Sequence, residues 1–274
     1  MELASILLVC VSAVLYLAAA LLYAYQLKTR SDKYISVQDR VSGAALLCQT
    51  LLIGAMASNL SGTPLQGANI LMLASWSVMV VYFIFEKITR RRTYGAFIVP
   101  IVLIAMVMAW ELGAAVAPDG GNAVYKDWPL LVVHIVAYFV AAAIFIFGGA
   151  SAIMLLYQER QIKRKSADVV ESRLPGLSFL KKVMRRTIVI GLPIFLLGIL
   201  LGIVRAMGTP DISPTWWMSP RIILSFIVLA VSLVVLAQSY ITRTSAGTVA
   251  KTYVVNAVLV LILTVLSAIL PMLG

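Results

Sequence analysis

The chain alternates long apolar stretches with short polar connections. Eight stretches, at roughly 3–27, 41–60, 68–86, 94–117, 129–157, 187–208, 219–241 and 251–273, are long enough to cross a hydrocarbon core of about 30 Å. Lipid offers no hydrogen bonds, so a spanning segment must satisfy its own backbone and becomes a helix. The pattern therefore predicts an all-α polytopic membrane bundle of about eight transmembrane helices. Turn chemistry stands where the spans end: Ser61-Gly62-Thr63-Pro64, Pro118-Asp119-Gly120-Gly121 and Gly208-Thr209-Pro210. Only one connection on the basic side is long, from Gln158 to Arg186. Its first part, QERQIKRK, reads as a charged extension of the fifth helix. Leu174-Pro175-Gly176 breaks that helix, and LSFLKKVMRR reads as a short amphipathic piece on the membrane surface. No loop is long enough for a soluble domain, so residues 1–274 are expected to form a single membrane domain.

Composition agrees with this. The chain is 62% hydrophobic and 12% charged with mean hydropathy +1.00, against about 25% charged in soluble domains. Its net charge of +11 raises the question of nucleic acid, and the placement of the charge answers it. Nineteen of the 22 basic residues lie in or beside the odd-numbered loops, nine of them between Arg160 and Arg186. Only Lys126, Arg205 and Arg221 lie on the other side. Positive residues mark the cytoplasmic face, so both termini are expected outside and the 158–186 loop inside. A polybasic loop beside anionic lipid explains the charge without a nucleic-acid partner. The start MELASILL has Glu2 and no positive segment, so the first span reads as a helix that is kept and not as a cleaved signal. Cys10 and Cys48 fall at depths about 10 Å apart, so they are expected unbridged, as small packing residues.

Polar residues inside the spans are few. Gln49, Gln238 and Asn256 lie in the inner half by depth, where interhelical hydrogen bonds worth about 0.6 kcal/mol each are expected. Bonds of Gln49 and Gln238 to each other or to Asn256 are among the options. Toward the outer end come Trp110, Glu111, Trp128, His134, Tyr138, Arg205, Trp216, Trp217 and Arg221, some of the tryptophans forming an interfacial belt. His134 is the only histidine of the chain. An ionisable ring in a span is costly and points to function by default, and imidazole is a common haem-iron ligand. A lone histidine serves equally well as a satisfied packing residue. His134 and Tyr138 share one helical face. Arg205 and Arg221 border the loop of Trp216-Trp217 and suit acidic groups such as propionates. The residues alone outline a site for an anionic cofactor.

From Val132 onward the chain reads LLVVHIVAYFVAAAIFIFGGASAIMLLYQERQIKRK and then RLPGLSFLKKVMRRTIVIGLPIFLLGILLGIVRAMG. This run resembles the CcsA/CcmC/HemX superfamily of cytochrome c assembly proteins. The QERQIKRK extension, the RLP break and the GLPIFLLGILLG span look most like HemX and CcsA members. Upstream, GTPLQGANILMLASWSVMVVYFIFE and FIVP resemble the same proteins more weakly, and the likeness covers roughly residues 40–240. It implies haem as the cofactor. His134 matches the histidine that ligates haem near the outer face, and Trp216-Trp217 occupy the place of the tryptophan-rich WWD segment. Here that segment is ISPTWWMSPR, without the acidic residue or the spaced tryptophans. The second outer histidine of the cytochrome c synthases has no counterpart. The two histidines of their inner haem site correspond by placement to Gln49 and Gln238, and amides are poor iron ligands beside imidazole.

The resemblance implies a HemX/CcsA-like protein of haem handling or cytochrome c biogenesis in a bacterial plasma membrane. Weak haem binding at the outer face is expected, bounded by His134, Trp216, Trp217, Arg205 and Arg221. The sixth iron position would be left to water, Met218, Met207 or a partner's side chain. Another membrane subunit of a cytochrome c or haem pathway is the expected partner. The alternative is a regulatory or scaffolding subunit that has lost haem binding. A transporter or channel is disfavoured by the lack of paired intramembrane carboxylates and repeated broken helices. No nucleophile–base pair, metal-ligand cluster or phosphate loop is present in the sequence, so an enzyme is not expected.

Overall fold

The computed structural model describes residues 2–29, 33–59, 68–115, 128–163, 174–208, 215–241 and 244–273. They form helices α1 (Glu2–Thr29), α2 (Ile35–Asn59), α3 (Ala68–Thr89), α4 (Gly95–Ala115), α5 (Trp128–Lys163), α6 (Leu177–Met207), α7 (Pro220–Tyr240) and α8 (Ala246–Leu273). Single 3-10 turns occupy Arg92–Tyr94 and Trp216–Met218, and no strand occurs among the described residues. Among the described residues seven helices are long and apolar enough to cross a membrane. The remaining one, α2, opens with Gln38, Asp39 and Arg40 and carries Gln49-Thr50 at its middle, which lowers its mean hydropathy. The protein is an all-α membrane bundle, as the apolar runs predict. The turns expected at 61–64, 118–121 and 209–210, and the basic residues Lys126, Arg164, Lys165, Arg173 and Arg243, lie outside the described residues.

The chain falls into two compact units, Met1–Val124 with Thr264–Gly274, and Tyr125–Leu263. In the first, α1 packs on α2 and α4, and α3 packs on α2 and α4. Its centre is a fully buried amide. Gln49 accepts a hydrogen bond from Tyr16 Oη at 2.7 Å and donates to Ser75 Oγ at 2.8 Å and to the Met72 carbonyl at 3.4 Å. One side chain of α2 thereby ties α1 to α3. At the basic end Arg92 pairs with Asp39 at 2.8 Å and with Glu86 at 3.2 Å, fastening the start of α2 to the end of α3. Gly95 follows, and a β-carbon there would stand 2.6 Å from the ring of the buried Tyr23. Gln49→Leu removes three bonds at about 0.6 kcal/mol each and should lower stability by about 2 kcal/mol. Equilibrium unfolding in mild detergent measures it, and an unchanged stability would contradict the role given to this amide.

In the second unit α5, 36 residues and about 54 Å long, packs along α6, and α6 packs on α7. The extension expected after Gln158 is helical through Lys163. LSFLKKVMRR, expected as a separate surface piece, is instead the first part of the unbroken helix Leu177–Met207. No glycine or proline falls between Leu177 and Gly191. The buried Leu180, Val183, Met184, Thr187 and Ile188 continue in phase into Gly191, Phe195 and Gly198, so one face runs the whole length. Gln158 Nε2 donates to the Pro175 carbonyl at 2.9 Å and fixes the chain just before α6 begins. At the other contact of α5, Gly148 and Gly149 lie against Tyr253 and Ala257 of α8. The fully buried Tyr253 donates to Thr187 Oγ1 at 2.8 Å. Cys10 and Cys48 are both free, and Cys10 is exposed where burial was expected.

Candidate functional site

The stripe on α6 that faces α5 reads Gly191, Phe195, Gly198, Gly202, at the i, i+4, i+7, i+11 spacing of one helical face. Glycine at three of these positions lets the two helices approach closely, as in the small-xxx-small packing of membrane helices. Phe145 of α5 fills the space over Gly191, at 2.7 Å from where a β-carbon would stand, and meets Phe195 edge to face with centroids 5.8 Å apart. Three turns on from Gly191, the space over Gly202 is filled by the imidazole of His134. A β-carbon at Gly202 would lie 2.9 Å from its Cε1 and 3.2 Å from its Nδ1.

The ring is also held by a hydrogen bond. His134 Nδ1 lies 2.7 Å from the carbonyl oxygen of Gly198. A carbonyl only accepts, so in the neutral ring the proton sits on Nδ1, and Nε2 keeps its lone pair. Metal-bound histidines are commonly oriented in this way, through the nitrogen that does not touch the metal. Arg205 follows Gly202 by three residues on the same face of α6. The α5–α6 contact thus seats a half-buried imidazole of defined tautomer against Gly198 and Gly202, one turn before Arg205 on α6.

Trp216, Trp217 and Met218 form a 3-10 turn closed by Met218 N–H to the Thr215 carbonyl at 2.9 Å and Ser219 N–H to the Trp216 carbonyl at 3.2 Å. Pro220 then starts α7, its ring already set for the first helical turn. Trp217 and Met218 are more than half exposed, Trp216 is half-buried, and Arg221 is exposed in the first turn of α7. None of these four makes a hydrogen bond, ion pair or ring contact with His134 among the described residues. Met207 is 77% exposed at the end of α6. Trp110 is half-buried and Glu111 exposed near the end of α4, and the Trp128 side chain lies outside the described residues. Tyr138 packs its ring against Phe139 and Phe195.

Of the polar residues expected in the inner half of the spans, Gln49 and Asn256 are held by hydrogen bonds. The amide of Gln49 is spent on Tyr16, Ser75 and Met72. Asn256, fully buried, accepts from Ser232 Oγ at 3.0 Å. Gln238 is half-buried in the last turn of α7. Two residues that shape the candidate site, Gly198 and Gly202, were not singled out in the sequence. Their signal was there, in the Gly-xxx-Gly spacing of GLPIFLLGILLG.

A half-buried imidazole whose Nδ1 is held by a carbonyl has the chemistry of a haem-iron ligand, and a guanidinium one turn on suits an acidic group. Among the described residues no group of three His, Cys, Asp or Glu side chains gathers to hold a metal ion. Neither a curated protein nor a solved structure matches the chain. Residues 67–272, however, match the family described as Cytochrome C assembly protein, a span that holds His134, Gly198, Gly202, Arg205 and the Trp216–Met218 turn. The chain is therefore a multi-pass membrane protein of the cytochrome c assembly family, whose work is cytochrome c biogenesis and haem handling.

Proposed function

We propose that this is a HemX/CcsA-like member that binds haem weakly through His134 and hands it on, without catalysing a reaction itself. The observation that carries the reading is the 2.7 Å bond from His134 Nδ1 to the Gly198 carbonyl, which leaves Nε2 as the ligating nitrogen. Arg205 would meet a propionate, and Arg221 with the exposed Trp216-Trp217 turn would form the second wall. Haem held there would supply an iron centre, with His134 as the one imidazole of the chain. Any further ligand would come from water, from Met218 or Met207, or from a side chain of a partner membrane subunit. A single protein ligand gives modest affinity and easy release, which suits transfer better than storage.

Haem titration of the purified chain is expected to give a Soret band that His134→Ala removes, with affinity lowered about tenfold or more. Equal affinity in both proteins would end the ligand reading. It would leave a regulatory or scaffolding bundle, which the full engagement of Gln49 at the matched inner position also supports.

We place His134 at the outer face of a bacterial plasma membrane, with both termini outside, because the basic residues crowd the opposite ends of the helices. Lys165→Cys, in a chain lacking Cys10 and Cys48, should react with impermeant thiol reagents only when the cytosolic side is opened. Labelling of intact cells at that residue would invert the topology.

A further inference from the structure

At the basic end of the second unit, where α5 passes its last apolar residues and α8 begins, a cavity of about 270 Å³ lies between the two helices. Its wall carries Arg160 and Lys163 of α5, Lys251 of α8, and the hydroxyls of Ser245 and Thr248 in the turn that starts α8. Among the described residues none of the three cations is in an ion pair. The single acid on the wall is Glu159. Its carboxylate is turned toward Gly247, where a β-carbon would meet it at 2.5 Å. A carboxylate drawn to the first turn of α8 is what the positive end of a helix favours, and three cations against one acid still leave the cavity net positive.

The Ser245 and Thr248 hydroxyls bond each other at 2.9 Å, so one of them keeps a proton to give, and with a guanidinium and two ammonium groups it forms a donor set that recognises phosphate. Leu156 closes the cavity on its apolar side. Tyr157, half exposed, is the last residue of the apolar run before Gln158, which sets the cavity at the level where hydrocarbon gives way to water. We infer that this cavity binds a phosphate group, that of an anionic phospholipid headgroup, through Arg160, Lys163 and Lys251 with Ser245 and Thr248. The same donors would take the phosphate of a soluble ester, and the two sources separate by experiment. The inference does not rest on haem binding.

The test uses the full chain in detergent with equimolar dioleoyl-phosphatidylglycerol and dioleoyl-phosphatidylcholine, read by native mass spectrometry. The unfolding midpoint is followed in parallel with inorganic phosphate against chloride at equal ionic strength. Wild type should retain phosphatidylglycerol in preference. The triple variant Arg160→Gln, Lys163→Gln, Lys251→Gln should lose that preference about tenfold or more. A control with the same loss of charge at the exposed start of α6, Lys181→Gln, Lys182→Gln, Arg186→Gln, should stay within about twofold of wild type. Thr248→Trp fills the cavity without changing charge and should reproduce the loss, so the test stands even if the triple variant fails to fold. If inorganic phosphate raises the midpoint and displaces the lipid, the phosphate site holds and its natural ligand is soluble. Equal losses in the two triple variants, or full preference in Thr248→Trp, would overturn the site and leave only diffuse attraction to anionic lipid.

Discussion

Gly148→Ala should destabilise the second unit by about 3 kcal/mol. The added methyl would overlap the Tyr253 ring near its hydroxyl end. That ring is fully buried, and its hydroxyl is committed to Thr187 Oγ1 at 2.8 Å. Thr187 in turn donates to the carbonyl of Val183 at 2.9 Å. Retreat of the ring therefore breaks a bond shared by α6 and α8 as well as repacking the contact with α5. Tyr253→Ala in the same background removes the obstacle, so the double variant should be destabilised by less than the sum of the two changes. Gly54→Ala is the control, because a methyl there meets nothing within 4 Å. It should be neutral or stabilise by up to about 1 kcal/mol. Unfolding in mild detergent reads the two single variants, the double variant and the control beside wild type, and a Gly148→Ala chain as stable as wild type would show that the α5–α8 contact is looser than its geometry implies.

Gly202→Val should weaken haem binding about 10- to 100-fold while leaving the histidine in place. The imidazole of His134 occupies the space that glycine leaves open, with Cε1 2.9 Å from a β-carbon built there. Any side chain at 202 must push the ring off the Gly198 carbonyl, and with it the proton arrangement that aims Nε2 at a ligand. Gly198→Ala provides the contrast. Its β-carbon would meet nothing closer than 3.6 Å, so affinity should stay within about twofold of wild type, an ordinary van der Waals contact costing little. Haem titration of the two variants beside His134→Ala distinguishes a positioned ligand from a histidine that is merely present. If Gly202→Val binds as wild type while His134→Ala does not, the ring is free to ligate from more than one orientation and Gly202 has no positioning role.

Much of the architecture was legible in the residues. A span of twenty apolar residues has one stable answer in lipid, a helix. The start of α6 was not. LSFLKKVMRR has the composition of a surface helix, and what makes it the first turns of a membrane helix is the phase of Leu180, Val183, Met184 and Thr187 with the stripe beyond Gly191. A local window does not report that phase. Gln49 shows the same division. Its depth and its need for partners followed from its position in an apolar run, whereas Tyr16, Met72 and Ser75 became its partners through the packing of α1 and α3 on α2.

The sequence by itself determined the class of protein, its helices and the one imidazole available as a ligand, because hydropathy, turn residues and residue identity act locally along the chain. It also held the family pattern over residues 67–272. The tertiary structure decided how that imidazole is used. Gly198 and Gly202 are 64 and 68 positions from His134, and only the close approach of α5 to α6 brings a carbonyl within 2.7 Å of Nδ1 and clears the space the ring fills. The cavity of Arg160, Lys163 and Lys251 arises in the same way, from two helix ends far apart in the chain. A hydrogen bond and a cavity are properties of distances between helices, and those distances are set by which small residues face one another across the contact.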